Sequence, residues 1–152
     1  MDEGSKLTPE VLALAGRRGP ASKVVVSARV VRKALDVWGQ AGEALPSEGE
    51  AVPSYVVEAL GSEAEGLALP SLMPNDLLIS NEILLERPLR LGEELTLQTR
   101  VADISERFGG RFGQSLYLRS DVELTDASGA VVARSVRTMM QYDARNASGG
   151  LE

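Results

Sequence analysis

The two residue types that do most side-chain chemistry near neutral pH are missing: the chain has no histidine and no cysteine. Their absence excludes imidazole general bases, triads built on histidine, thiol nucleophiles, disulfides and the usual zinc sites. Acid–base work must then fall to carboxylates, tyrosine, lysine, backbone dipoles or a residue lent by a partner chain. The carboxylates that stand out are Glu43, Glu48 and Glu50, the only acidic residues in WGQAGEALPSEGEAVPSY (38–55), and Glu58, just beyond it. Tyr55 lies between the two groups, and Asn81 is a polar residue in an otherwise apolar run. Arg107 and Arg111 flank the glycines of FGGRFG. No metal and no cofactor is expected.

These residues need elements to hold them. TPEVLALAG (8–16) reads as a short helix, with Thr8 at its N-cap, Pro9 at its first position and Gly16 as its stop. KVVVS (23–27) is a β-branched run and predicts a strand. It feeds ARVVRKALDVWGQ, where Val30, Val31, Ala34, Leu35 and Trp38 recur at helical spacing, Trp38 as packing, until Gly39 and Gly42 end the helix. Residues 41–51 are an acidic loop. In VPSYVVEALGSEAEG (52–66) the helical period returns: Val52, Tyr55, Val56, Ala59 and Leu60 share a stripe, and Glu58 lies largely opposite.

After a connector with Pro70 and Pro74, the period becomes two. LLISNEILLER (77–87) is one strand, PLRLGE a turn and ELTLQTRVADISER (94–107) the next, with Leu95, Leu97, Thr99 and Val101 on one face. The phase slips at Asp103 and Ile104, which predicts a bulge. QSLYLRSDVELTD then turns Leu116, Leu118, Val122 and Leu124 inward if a second slip occurs near Ser120, and VVARSVRTMMQYD is the last strand. Read in order, this is a four-strand meander following one well-striped helix. It favours an α+β fold in which a curved antiparallel sheet wraps a helix.

The chain's 152 residues are expected to form one domain, with 1–20 as a short helix and connector and 145–152 as a flexible tail in which the final Leu-Glu reads as a cloning remnant or a native end. A net charge of −6, with 16 scattered basic residues, offers no electrostatic reason for nucleic acid or an anionic membrane as partner. No apolar run approaches the ~20 residues of a membrane span, and MDEGSKLTPE has no signal-peptide pattern, so a cytoplasmic location is expected.

The series TPEV, KVVVSARVVRKAL, VPSYVVEAL, NEILLERPLRLGEELTLQTRVADI and ASGAVVARSVRTMM resembles a MaoC-like hot-dog domain, in the N-terminal dehydratase-type branch, over roughly residues 7–143. Its most specific piece is RPLRLGEEL (87–95), which also reads simply as a good hairpin: Pro88 ends ladder pairing and Gly92 can reverse the chain. The resemblance implies a sheet curled around a central helix (53–65) and a homodimer or a heterodimer with a second hot-dog chain. It implies ligands that are acyl thioesters of coenzyme A or acyl carrier protein, held between helix and sheet, and hydration or dehydration at the 2,3-position.

Active hydratases of this family resemble one another in a D-x-x-x-x-H element in the loop before the central helix. The matching loop here, 38–55, has neither residue. What the resemblance leaves is a thioester cradle: amides at the start of the central helix, Val52 to Val56 with Pro53 contributing none, and apolar contacts from Tyr55 and Leu60. Asn81 is its hydrogen-bonding candidate for an acyl or pantetheine group, and Arg107 and Arg111 are its candidates for coenzyme A phosphates. Glu58 matches the carboxylate that some hot-dog thioesterases carry on that helix, and it equally suits a solvent-facing position. Three functions follow: a hydratase-type subunit that needs a partner's Asp and His, a carboxylate-based thioesterase or hydratase using Glu58, and a non-enzymatic acyl-thioester-binding homodimer.

Overall fold

The computed structural model describes residues 4–67 and 69–146, so the final Leu-Glu and most of the expected tail lie outside the described residues. Of that tail Arg145 and Asn146 are described, and with Ala144 they form a 3-10 turn, where Asn75 Oδ1 accepts from the Ala144 N–H at 2.9 Å and Arg145 pairs with Asp143. The elements are α1 (Pro9–Leu12), β1 (Ser22–Val25), α2 (Ala28–Trp38), α3 (Val56–Gly61), β2 (Asn75–Leu85), β3 (Glu94–Arg107), β4 (Ser115–Thr125) and β5 (Val131–Tyr142). The strands form one antiparallel sheet in the order β1-β3-β4-β5-β2. Among the described residues no helix is long and apolar enough to cross a membrane.

This order corrects the meander expected of all four long strands. Only β3, β4 and β5 run as one; β2 pairs with β5 at the far edge, and β3 lies three strands away beside β1. RPLRLGEEL is therefore a crossover and not a hairpin. Gly92 does turn the chain, at φ +93°, but the segment before it pairs with the loop ahead of α3. Val52 N–H donates to Leu89 O, Leu91 N–H to Glu50 O and Gly49 N–H to Leu91 O. Leu89 and Leu91 are buried there with α3 and the start of β3. Period-two alternation reports which face a strand buries and is silent on which strand lies beside it.

The two helices ahead of the sheet are shorter or less buried than their patterns suggest. α1 is a single turn, capped as expected by Thr8, whose hydroxyl accepts from Val11 N–H. Ser27 caps α2 in the same way, and Val30, Val31 and Ala34 are its buried face. Trp38 is not core packing: it is 48% exposed, leaning on Tyr55 with ring centroids 6.2 Å apart. The central helix is six residues and not thirteen. It enters and leaves through i→i−3 turns, Val57 N–H to Ser54 O and Glu63 N–H to Leu60 O among them.

Six helical residues cannot cover the concave face of strands up to fourteen residues long. The chain after α3 covers the rest, and two buried polar side chains pin it. Thr99 Oγ1 on β3 donates to Glu65 O at 2.8 Å. Gln141 on β5 accepts from Leu72 N–H and Met73 N–H and donates to Pro70 O at 2.9 Å, meeting three backbone groups of a strand-less segment at once. Two apolar clusters result: one around α3, and a second around Met73, Val101, Ile104, Leu116 and Leu118 under the connector.

Strand details follow the sequence in part. Leu95, Leu97, Thr99 and Val101 are buried on one face as expected, and the bulge falls one residue early, at Ala102, between the Val101 and Asp103 pairings. The second expected slip is absent. β4 keeps one register against β5 from Ser115 to Leu124, so Ser120 takes an inward position between Leu118 and Val122. On the opposite face Glu123 is buried between Arg18 and Arg134: burial pushes its carboxyl up, and the two guanidiniums outweigh it and hold it below its ordinary value.

Replacing Gln141 by leucine keeps the volume and orphans Leu72 N–H, Met73 N–H and Pro70 C=O. The loss expected in urea unfolding is about 2–4 kcal/mol, with one or two of the three groups recovered by water.

Candidate functional site

Between the two apolar clusters lies a cleft of about 540 Å³, inside the roughly 300–1,000 Å³ of small-molecule sites. Its roof is the end of α3 and the connector, with Gly61, Ser62, Leu67 and Leu69; its floor is the concave sheet, with Thr99 and Val101 on β3, Ser120 and Val122 on β4, and Ser135, Arg137 and Met139 on β5. Gly61 brings the helix close to that floor, since a Cβ there would stand 3.6 Å from Ser135 Cβ.

Glu58 is the feature of this cleft with chemical potential. One face of α3 has to meet the sheet, and Val56, Val57, Ala59 and Leu60 are all buried, so even the polar position of so short a helix lies near a strand. Glu58 Oε1 accepts from Ser135 Oγ at 2.7 Å and Oε2 from Asn81 Nδ2 at 2.8 Å. The solvent-facing alternative for Glu58 is thus corrected: its carboxylate points to β5 and β2. Asn81 does sit on the edge strand and is exposed, yet its amide turns inward to Glu58. Two neutral donors orient the carboxylate and leave it without an ion pair among the described residues. Asp121, whose backbone borders the cleft, turns its carboxylate to the opposite face of the sheet, where Arg100 pairs with it at 2.6 Å.

The remaining sequence candidates fall elsewhere. Val52, Val56 and Leu60 are core residues, and the N–H groups of Val52 and Val56 are spent on Leu89 O and Pro53 O. Tyr55 and Pro53 are half-buried outside the cleft lining. Two of the three loop carboxylates brace their own loop, and the third reaches the crossover. Glu43 Oε1 accepts from Gln40 N–H at 2.9 Å and faces the Tyr55 hydroxyl at 3.3 Å; Glu50 accepts from Ser47 N–H at 2.6 Å; Glu48 lies over Gly92, where a Cβ would come within 1.9 Å of its Oε1. Arg107 stacks on the Tyr117 ring at 4.6 Å and Arg111 on Phe112 at 5.6 Å, both at the β3–β4 turn and outside the cleft lining. Among the described residues no group of three or more acidic side chains is placed to hold a metal.

Ser120, Ser135 and Arg137 went unnoticed in the sequence. The signal was there: in 116–124 and 131–141 the positions of inward parity are apolar except at these residues and Gln141. Allowing a slip at Ser120 removed that residue from the inward face.

Comparison with known proteins gives the fold. No family model and no curated protein matches the chain. Solved structures do. The HadBC (3R-hydroxyacyl-ACP dehydratase) complex of Mycobacterium tuberculosis aligns at TM-score 0.58 and 16% identity, over 84% of this chain and 96% of that one. A MaoC-like dehydratase from Rhodospirillum rubrum aligns at TM-score 0.53 and 16% identity, over 84% and 92%. A Mycobacterium tuberculosis protein with a double hot-dog fold, RV0216, aligns at TM-score 0.55 and 15% identity, over 90% of this chain and 44% of that one. The α+β hot-dog fold expected from the sequence is the fold of this chain.

Burial first, and then the charge and hydrogen bond of Glu43, hold the Tyr55 phenol above its ordinary pKa. Glu43→Gln removes the charge, leaves an amide oxygen that can still accept from the phenol, and keeps the burial. The Tyr55 pKa, followed by NMR on ring-labelled protein, should fall in the variant and stay above that of free tyrosine.

Proposed function

We propose that this hot-dog chain is an acyl-thioester-binding subunit of a hydratase/dehydratase-type assembly, whose chemistry depends on a second hot-dog chain in the cytoplasm. The observation that carries the proposal is the state of the 38–55 loop. Hydratases that this chain resembles keep an Asp and a His there, and here Glu43 and Glu50 are spent on backbone N–H groups of the loop while Glu48 lies over Gly92 of the crossover. The cleft remains, sized for an acyl group and lined on both ends by apolar clusters. Hydration adds the oxygen of water to C3 and a proton to C2 of an enoyl thioester. The missing step here is removal of the water proton, and a partner's base is the source that fits.

A partner also suits the edge strand. β2 is hydrogen-bonded on one side only and exposes Leu77, Leu78 and Ile79 at 47–49%. A long apolar edge strand of this kind is a template for pairing with another chain. The complex named for the HadBC structure is a precedent in the same fold.

One observation favours a second reading: Glu58, aimed by Ser135 and Asn81, is a carboxylate in the cleft that belongs to this chain. Used as a base, it would take a proton from water that attacks either C3 of an enoyl thioester or the thioester carbonyl, the latter breaking the C–S bond to release thiol.

The two readings separate in one assay. The purified chain, given crotonyl-CoA, should bind it without loss of enoyl absorbance and without thiol release; hydration should appear on co-expression with a hot-dog chain that carries the Asp and His. Turnover by the chain alone that drops about 10²-fold or more in Glu58→Gln would establish the second reading instead. Binding with no reaction under any pairing would leave a binding module. Ile79→Lys on the β2 edge should shift the particle seen by light scattering to a monomer without lowering the unfolding midpoint by more than a few degrees.

A further inference from the structure

Arg137 occupies a place where an acyl-chain site has no use for a charge. It lies on the concave face of β5, its register partners being Ser120 on β4 and Asn81 on β2, so one polar row crosses the floor of the cleft. The row on one side is Leu118, Met139 and Leu78; that on the other is Val122, Ser135 and Ile83. The other arginines within the paired strands are on the convex face, where Arg100 meets Asp121 and Arg134 meets Glu123. Arg137 has no such partner among the described residues. The carboxylate it could have taken, that of Glu58, has both oxygens occupied by Ser135 and Asn81. The guanidinium is thus left as an open fork over the cleft, beside a serine hydroxyl and an amide.

We propose that Arg137 anchors a carboxylate at the far end of the acyl group, so that the cleft selects acyl thioesters of dicarboxylic acids over plain fatty acyl thioesters. The inference rests on the thioester reading above and names its substrate class. A planar guanidinium recognises a carboxylate through two parallel hydrogen bonds, which lysine cannot reproduce. Glu58 is held by Ser135 and Asn81 with no ion pair to Arg137, so the guanidinium is left open to a ligand carboxylate.

Calorimetric titration of the full chain with butyryl-CoA and succinyl-CoA tests this, because the two share coenzyme and chain length and differ in the terminal carboxylate. The wild type should bind succinyl-CoA about 10- to 100-fold more tightly, the range of a charge-assisted hydrogen-bonded pair. Arg137→Gln should erase that preference and leave butyryl-CoA within about 2-fold, and Arg137→Lys should restore only part of it. The side chain is exposed and unpaired, so both variants should keep the wild-type unfolding midpoint. Equal weakening of both ligands in Arg137→Gln would mean a contact to the phosphates of the coenzyme and would overturn the proposal, as would a wild type without preference. A wild type that binds neither ester would overturn the thioester reading itself.

Discussion

A curled sheet has a concave face that must be filled, and α3 is too short to fill it. Most of the molecule's organisation follows from that shortfall. Helix and crossover fill one half of the hollow, with Leu89 and Leu91 folding in beside Val56 and Leu60. The connector fills the other half with Leu67, Leu69, Leu72 and Met73. A segment without regular structure carries unpaired backbone groups into that position, and Thr99 and Gln141 exist on the inner face to meet them. The cleft is the seam between the two fillings. A longer helix would have closed it.

The same shortfall explains why polar residues gather there. Ser120, Ser135 and Arg137 sit on the floor at the level where neither apolar cluster reaches. Glu58, a half-buried position of α3 beside the seam, finds its donors on the strands below. Position on a helix wheel would send this residue to solvent. The helix, however, lies in a hollow with strands on several sides, so "opposite the apolar stripe" still means near a strand. The opposite face of the sheet shows the contrast: there the buried carboxylates of Glu123 and Asp121 are matched by arginines.

How much of this was legible in the sequence depends on the kind of interaction. Strand faces, the cap at Thr8, the turn at Gly92 and the presence of a bulge are local, and residues such as Leu95, Leu97 and Val101 declare the strand faces by parity. Strand order is not local. Nothing in RPLRLGEEL distinguishes a hairpin from a crossover, because both need a residue that ends pairing and one that reverses the chain. The site was half legible for the same reason. Glu58 and Asn81 were singled out, but that they meet, 23 residues apart, depends on β2 lying at the far edge of the sheet. Arg137 was overlooked because an arginine in a strand ordinarily faces water, and only the register against Ser120 and Asn81 turns it into the hollow.

The two borders of the sheet are unlike. β1 presents four residues outward, with Lys23 exposed among them, whereas β2 presents eleven with three large apolar side chains in succession. Short, charged borders resist further hydrogen bonding, and long apolar ones invite it. Joining two such sheets through β2 would consume the inviting border of each and leave only the resisting ones outward. Growth would stop at two sheets, so the chain can expose a sticky strand without becoming the seed of a fibre.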